Sequence, residues 1–404
     1  MNPKRLNLAM ERYFLFEPNV YINLVFTVAG GASPEKLMDA VRKTYTQNQT
    51  TMSKAVLDEK GKLYLEEMPQ SGCKVSIDSR DWQEIRREQE HITFRINEGE
   101  FLRTFIIPNG ETTDVYMMAH HMMCDGSGMV MLVDDIMNNL AGNEVAYKPT
   151  VVIQKGTALR KGNLTLKSKI LLRLLNLEWK KERKIFTWED YYKIHEAYWK
   201  NKSSYFTMEV INEDELATIK QECKELNITI NSYLVAKILS NYPQCRCLGM
   251  PISLRKGERS ISNFVANLTT FFDYDTTKTY QENAVALDKI TRVELKKEGV
   301  RYYTSQFMAT MDPTLMDAAL MHHVLGYESE PARKMASLVG YFGKRRTELG
   351  VSNMRVIDLP SQYGAYKVSN VIGIVPKISS AAKVVGVFTF NGKMYIADSL
   401  VKEN

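Results

Sequence analysis

The sequence predicts a protein of mixed α/β (α+β) class, built in two halves. Strand-like and helix-like runs are interleaved on both sides of the chain's middle. Each half opens the same way, with a strand followed by a capped helix, although no sequence repeat accompanies the echo. The chain has 404 residues, a length that suggests two or three domains because single cores stop growing near about 250–300 residues. A hydrophobic fraction of 44% and a charged fraction of 25% are ordinary for a globular protein.

Residues 20–29 are rich in β-branched and aromatic side chains, as in a buried strand. Ser33-Pro34-Glu35 places a cap residue before a proline and so opens a helix, with Leu37, Val41 and Tyr45 on one face. Residues 54–76 are extended around a turn at Glu59-Lys60-Gly61. An apolar strand at 114–120 leads to a helix over 127–140, where Met129, Leu132, Val133, Ile136 and Leu140 form the buried stripe. Gly142 stops it. In the second half, Phe206, Met208 and Val210 alternate with polar neighbours as a strand. Asn212 and Glu215 then cap a helix that buries Leu216, Ile219, Cys223 and Leu226. Residues 245–254 and 264–272 read as extended, 280–298 as helical, and Asp312-Pro313 opens a helix that ends at Gly326. Three strand-like runs finish the chain at 351–359, 366–374 and 384–397, the last split by the hairpin pair Asn391-Gly392. The expected division is a first lobe at 1–150, a connecting segment at 151–205 and a second lobe at 206–404.

Formal net charge is +6, from 53 Lys and Arg against 47 Asp and Glu, too small an excess to argue for nucleic acid, and none is expected as a partner. Its distribution says more. Residues 151–205 carry 13 Lys or Arg and five Asp or Glu, a local balance of +8 over a nearly neutral remainder. Within them, residues 164–184 include a stretch that reads as a basic amphipathic helix. It suits an anionic membrane or lipid surface. A solvated helix with one face docked, or attraction of a ligand's phosphates, would use the same residues. Five scattered cysteines spell neither a disulfide framework nor a pair of zinc knuckles. Glu11 and Arg12 interrupt the place where a signal peptide needs its apolar core, and no run approaches 18 apolar residues. The expectation is a reduced, cytoplasmic protein, with residues 164–184 offering peripheral contact at the inner membrane surface.

The most specific feature is Met118-Ala119-His120-His121-Met122-Met123-Cys124-Asp125-Gly126, which holds His-His-x-x-x-Asp-Gly between an apolar strand and a helix. Adjacent strand residues point to opposite faces, so His120 and His121 should not share a metal ion, and no metal is expected. One imidazole can then face a cleft while the other packs inward. An imidazole titrates near neutrality and suits removal of a proton from an alcohol or amine. Asp125 lies past the turn, where it caps the next helix or pairs with a distant cation. Gly126 allows a close approach that a Cβ would block. Cys124 reads as a small buried apolar residue. A second pair, His322-His323, lacks the downstream Asp-Gly and lies near a helix end, where the helix dipole accounts for it. Six of the 21 methionines fall between Met117 and Met131, as gap-fillers of the core or the lining of a pliable apolar pocket.

This run resembles the active-site signature of the chloramphenicol-acetyltransferase-like superfamily. That group includes condensation domains of nonribosomal peptide synthesis, plant acyl-CoA acyltransferases, wax-ester synthases, mycobacterial polyketide-associated acyltransferases and bacterial alcohol acetyltransferases. Further pieces follow in a similar order over about residues 5–400: Pro251-Ile252-Ser253-Leu254-Arg255, then Ser262-Asn263-Phe264-Val265-Ala266-Asn267, then Ser352-Asn353 and the final hairpin. The resemblance implies two similar lobes, each a mixed sheet with flanking helices, meeting in a V around a central tunnel. It implies His121 as the base, with His120, Asp125, Gly126 and Arg255 supporting the site and Arg255 pairing with Asp125. Asn267, Ser352 and Asn353 would contact substrate. The implied reaction moves an acyl group from a thioester to a hydroxyl by direct attack. The donor would be acyl-CoA or an acyl carrier protein thioester as co-substrate, the acceptor a small molecule or lipid, and no cofactor would be bound permanently. The Asp-Phe-Gly-Trp-Gly motif of the plant enzymes is absent, and no adenylation or carrier module accompanies the chain, which favours a free thioester. Condensation-type amide synthesis from a carrier-bound donor, or an inactive binding protein of the same fold, are the alternatives.

Overall fold

The computed structural model describes residues 5–344 and 346–403. In chain order its strands are β1 (Arg5–Asn7), β2 (Tyr21–Ala29), β3 (Ser53–Leu57), β4 (Leu63–Glu67), β5 (Lys74–Ile77), β6 (Leu102–Asn109), β7 (Thr112–His120), β8 (Lys202–Ile211), β9 (Cys247–Ser253), β10 (Val265–Phe271), β11 (Leu349–Val356), β12 (Lys367–Ile374), β13 (Val384–Phe390) and β14 (Lys393–Glu403). They form a five-stranded sheet β12-β2-β7-β6-β5, a six-stranded sheet β10-β9-β11-β13-β14-β8 and a small sheet β1-β4-β3. Both large sheets are mixed: β5–β6 is the parallel pair of the first, and β9–β11 and β11–β13 are those of the second.

β7 runs through the middle of the first sheet. Every residue from 115 to 120 is buried, which is why this stretch is continuously apolar instead of alternating. Helices Pro34–Thr46 and Gly126–Leu140 lie together beside the sheet, joined by a hydrogen bond from Asn139 to Thr44 (2.9 Å). Ser33 caps the first by accepting from the Lys36 amide, with Pro34 leading the helix.

In the second sheet, helices Glu213–Glu225, Ile230–Ser240 and Tyr280–Leu295 cover one face. They bury Leu216, Leu234 and Leu287 against Leu248, Leu349, Val351 and Val387. The opposite face is divided. On β13 and β14, Phe388 and Tyr395 pack into the core of the first lobe. On β9, β10 and β11 that face carries the small and polar residues Gly249, Asn267, Gly350 and Ser352.

The expected division into 1–150, 151–205 and 206–404 needs correction. After β11 the chain leaves the second sheet, adds β12 antiparallel to β2, and returns as β13. Helices Pro313–Leu325 and Glu330–Leu338 also bury Met316, Leu320 and Met335 in the first lobe's core. The first lobe therefore takes back these helices and β12. The physical reason is the edge of β2. Its residues 21–26 are buried, and an unpaired row of N–H and C=O groups beside an apolar core is costly. The basic segment is likewise no free linker. Its helices Leu166–Glu182 and Trp188–Trp199 dock on the first lobe through Leu172, Leu175, Trp179, Tyr191 and Ile194.

A short 3-10 turn, Glu11–Phe14, lies beside the end of β7. It is held by Arg12, which forms a buried ion pair with Asp317 (Nε to Oδ1, 2.9 Å) and donates to the Gly61 carbonyl (2.7 Å). Among the described residues no helix is long and apolar enough to cross a membrane.

Candidate active site

The two motif histidines part company at the end of β7. His120 is fully buried beside Tyr21, Phe94, Tyr191 and His195. Its Nδ1 accepts from the Met122 amide (3.2 Å), which places its proton on Nε2. Burial pushes its pKa far down, and the neighbouring His195, His121 and Arg103 also oppose a positive charge there. It is a neutral packing residue that shapes the turn.

His121 is partly exposed. Its amide donates to the Val20 carbonyl (2.9 Å), and its ring stacks flat on Phe14, with centroids 4.2 Å apart and planes 7° off parallel. Nδ1 lies 3.0 Å from Asn263 Oδ1. The direction of this bond can be deduced. Asn263 Nδ2 donates to the His121 carbonyl (2.6 Å) and to the Met122 carbonyl (3.2 Å), so the amide group cannot be turned round. The oxygen facing His121 must accept, and Nδ1 must carry the proton. The lone pair is then on Nε2, which has no hydrogen-bond partner among the described residues. Burial holds the imidazole below its usual 6.5, against smaller opposing pulls from its own backbone carbonyl, the Asp125 carboxylate, Asn263 and the Cys124 backbone. The arrangement is a neutral imidazole with a fixed tautomer and a free basic nitrogen.

Asp125 joins this turn to the second half of the chain. One oxygen caps the Gly126–Leu140 helix by accepting from the Gly128 amide (2.8 Å), and the other accepts from the Phe264 amide (2.9 Å). Arg255 Nη2 donates to both oxygens at 3.1 Å. The same guanidinium donates to the carbonyls of Glu258 (3.0 Å), Ser260 and Ser262 (2.9 Å), and lies over the Phe264 ring. Arg255 thus organises the connection between β9 and β10, which carries Asn263. The two glycines that follow Asp125, Gly126 and Gly128, have separate reasons. A Cβ on Gly128 would come within 2.1 Å of the Ile261 carbonyl oxygen; one on Gly126 would meet Met354 Sδ at 2.5 Å.

The residues expected to contact substrate are divided. Ser352 lies on the same face of β11 as Met354, whose thioether meets Gly126. Asn267 is on the corresponding face of β10 and donates to Thr269 (3.1 Å). Asn353 is turned the other way: its amide donates to Asn231 (3.3 Å) on the covering helix Ile230–Ser240. Neighbours on a strand face opposite sides, so Ser352 and Asn353 cannot both look towards the motif. Asn263 and Phe14 were not among the expected residues. Asn263 had a signal, since it lies in the stretch 262–267; Phe14 had none. Cys124 is buried, and burial together with the Asp125 charge pushes its thiol pKa up, away from thiolate chemistry. His322 and His323 sit in the last turn of Pro313–Leu325, His322 against the Tyr327 carbonyl (2.9 Å) and His323 stacked on Tyr341.

The fold is shared with solved condensation domains and an acetyltransferase, as three structures illustrate. The first condensation domain of the CDA synthetase is similar over 99% of this chain and 90% of its own, at 11% identity and a TM-score of 0.64. The trichothecene 15-O-acetyltransferase TRI3 from Fusarium sporotrichioides matches 98% of this chain and 90% of its own, at 11% identity and a TM-score of 0.62. The starter condensation domain of rhizomide synthetase RzmA, in complex with C8-CoA and Leu-SNAC, matches 98% and 88%, at 13% identity and a TM-score of 0.60. No family model matches the sequence, and no curated protein does. At these identities the likeness is one of fold.

Proposed function

We propose that the protein is an acyltransferase that moves an acyl group from a thioester to a hydroxyl acceptor, with His121 as general base. The observation that carries this reading is the Asn263 clamp, which leaves His121 neutral, oriented and basic at Nε2. In the proposed step, Nε2 takes the acceptor's hydroxyl proton while its oxygen bonds to the thioester carbonyl carbon. The carbon–sulfur bond then breaks, and Nε2–H returns the proton to the leaving thiolate. A free thiol and an ester result, with no acyl-enzyme. A positioned base contributes roughly 10²–10⁴-fold.

The fold supports the class of chemistry, since similar structures include an O-acetyltransferase and a domain holding C8-CoA. Acyl-CoA is the proposed donor, and a small molecule or lipid the acceptor, meeting between the two sheets. The abundance of condensation domains among similar structures favours a second reading, amide formation from a carrier-bound donor. Screening acyl-CoAs against alcohols and amines, with thiol release as the readout, separates the two. His121→Ala should abolish release in a chain that melts like wild type. Unchanged turnover would sink the mechanism, whereas absence of release by wild type with every pair would leave a binding protein of the same fold.

A further inference from the structure

The Leu166–Glu182 helix is apolar on two opposite sides. Leu172, Leu175 and Trp179 are buried in the first lobe. Leu166, Ile170, Leu174 and Leu177 form a second stripe, 73%, 51%, 53% and 52% exposed. At about 100° per residue this stripe lies roughly opposite the first and faces away from the protein. A docked surface helix ordinarily carries polar side chains there.

Cations flank the stripe. Lys169, Arg173 and Lys180 run along one side, with Lys167 and Lys181 on the other side and near its end. With Lys155 and Arg183, the first three line an open groove of about 820 Å³ beside the start of Pro313–Leu325. Asp312 is the carboxylate in its wall, and it is already paired with Arg183 (3.4 Å). Among the described residues, Lys155, Lys169, Arg173 and Lys180 form no ion pair; Glu178, on the same helix, is taken by Lys334 (3.0 Å).

We propose that this helix lies flat on an anionic phospholipid bilayer. Leu166, Ile170, Leu174 and Leu177 enter the boundary between headgroups and acyl chains, and the flanking Lys and Arg meet lipid phosphates. An apolar line rimmed by cations is the arrangement such in-plane helices use, because long cationic side chains lie along apolar surface while their ends reach phosphate. Charge selects the occupant. A second copy of the chain would bring the same cations against these, and a neutral apolar partner would leave them unanswered. The surface is separate from His121 and does not rest on the acyl-transfer reading.

The test is flotation of the full chain with vesicles of phosphatidylcholine, with and without phosphatidylglycerol. Wild type should bind the anionic vesicles at least about tenfold better and lose binding as salt rises. The variant Lys169→Gln/Arg173→Gln/Lys180→Gln should bind about 100-fold more weakly, at about fivefold per cation near an anionic surface. The variant Leu166→Gln/Ile170→Gln/Leu174→Gln/Leu177→Gln, all at exposed positions and checked by an unchanged melting temperature, should lose at least about tenfold with its charge intact. Equal binding to neutral vesicles overturns the proposal, and so does full binding by the apolar variant. Dimerisation of wild type that the apolar variant abolishes assigns the stripe to a second copy and overturns it too. So does displacement from vesicles by inorganic phosphate at constant ionic strength, which would mark a site for a free anion.

Discussion

Replacing Asn263 separates the geometry of the base from its identity. Asn263→Ala removes the acceptor at His121 Nδ1 (3.0 Å) and both donors to the turn's carbonyls (2.6 and 3.2 Å). When the base takes the acceptor's proton, the imidazole becomes a cation. A hydrogen bond to a charged group is worth about 1.5–3 kcal/mol, against about 0.5–1.5 for a neutral one. Without Asn263 that stabilisation is lost and the tautomer is released, so that part of the population carries its proton on Nε2. The ground state loses the weaker bond as well, so the difference of about 1–1.5 kcal/mol corresponds to a fall of about five- to tenfold in kcat, with KM within about threefold. Asn263→Asp keeps an acceptor at Nδ1 and makes it an anion, and the pH profile then discriminates. In wild type, burial holds His121 below 6.5, so the rate should fall only as pH drops below that value. A carboxylate at this distance favours the imidazolium and should move the acid limb up by about one pH unit or more. The assay is thiol release from acyl-CoA across pH, with melting temperatures as the control. If Asn263→Ala keeps kcat within about twofold while His121→Ala is inactive, the argument is refuted. It is refuted equally if Asn263→Asp leaves the acid limb in place, because a merely structural role lowers the folded fraction without shifting that limb.

Three further outcomes follow from the same geometry. Asp125→Asn keeps the helix cap but leaves the largely buried Arg255 guanidinium without its counter-charge. It should cost about 3–5 kcal/mol in urea unfolding, and acceptor choice among folded molecules should be unaffected. Gly128→Ala should lose at least about 2 kcal/mol, because its Cβ meets a backbone oxygen at 2.1 Å; Gly126→Ala should lose less, because the mobile end of Met354 can yield. Burial raises Glu11 to about 7 from 4.5, and among the described residues neither of its oxygens has a side-chain hydrogen-bond partner. The folded state therefore binds this proton more tightly than the unfolded one, and the associated stability is complete below about pH 4.5 and lost as pH rises through about 7. Glu11→Gln should match wild type near pH 4.5 and be more stable by up to about 3 kcal/mol near pH 8, read by unfolding at both values.

What was legible in the sequence is what local chemistry determines. Ser33-Pro34 and Asp312-Pro313 mark helix starts through caps and a fixed proline φ, and Asn391-Gly392 marks a hairpin through its positive φ angles. The motif was legible because its pieces are close in sequence. Helix Ile230–Ser240 was not singled out, since it is apolar nearly all round and shows little periodicity. β12 was readable as a strand but not as a partner of β2, because alternation reports a face and says nothing of the neighbouring strand. The same rule that separated His120 from His121 also separates Ser352 from Asn353, a consequence the resemblance obscured. Between Asn263 and Asn267 the sequence offers no choice. Only the chain's path from β9 to β10 brings the first onto the motif.

That path also gives a reason for a buried ion pair that stability alone does not require. Removing Arg255 and Asp125 from water is costly, and a pair of apolar residues would often serve stability as well. Arg255, however, does more than answer Asp125. It takes three carbonyls of an irregular connection that has no ladder of its own, from Glu258 to Ser262. An apolar pair could not satisfy those groups. With the carbonyls held and Asp125 gripping the Phe264 amide, Asn263 has one place to go, which is against His121 and Met122. The ring of His121 comes from the end of β7 in the first sheet, with Phe14 beneath it, whereas its tautomer is set from the entry to β10 in the second. A displacement of about 1 Å between the sheets would leave the stacked ring in place and break the 3.0 Å bond that makes Nε2 a base. On this reading the motif aspartate acts on the chemistry at one remove, by keeping the two lobes in the register at which the histidine is a base.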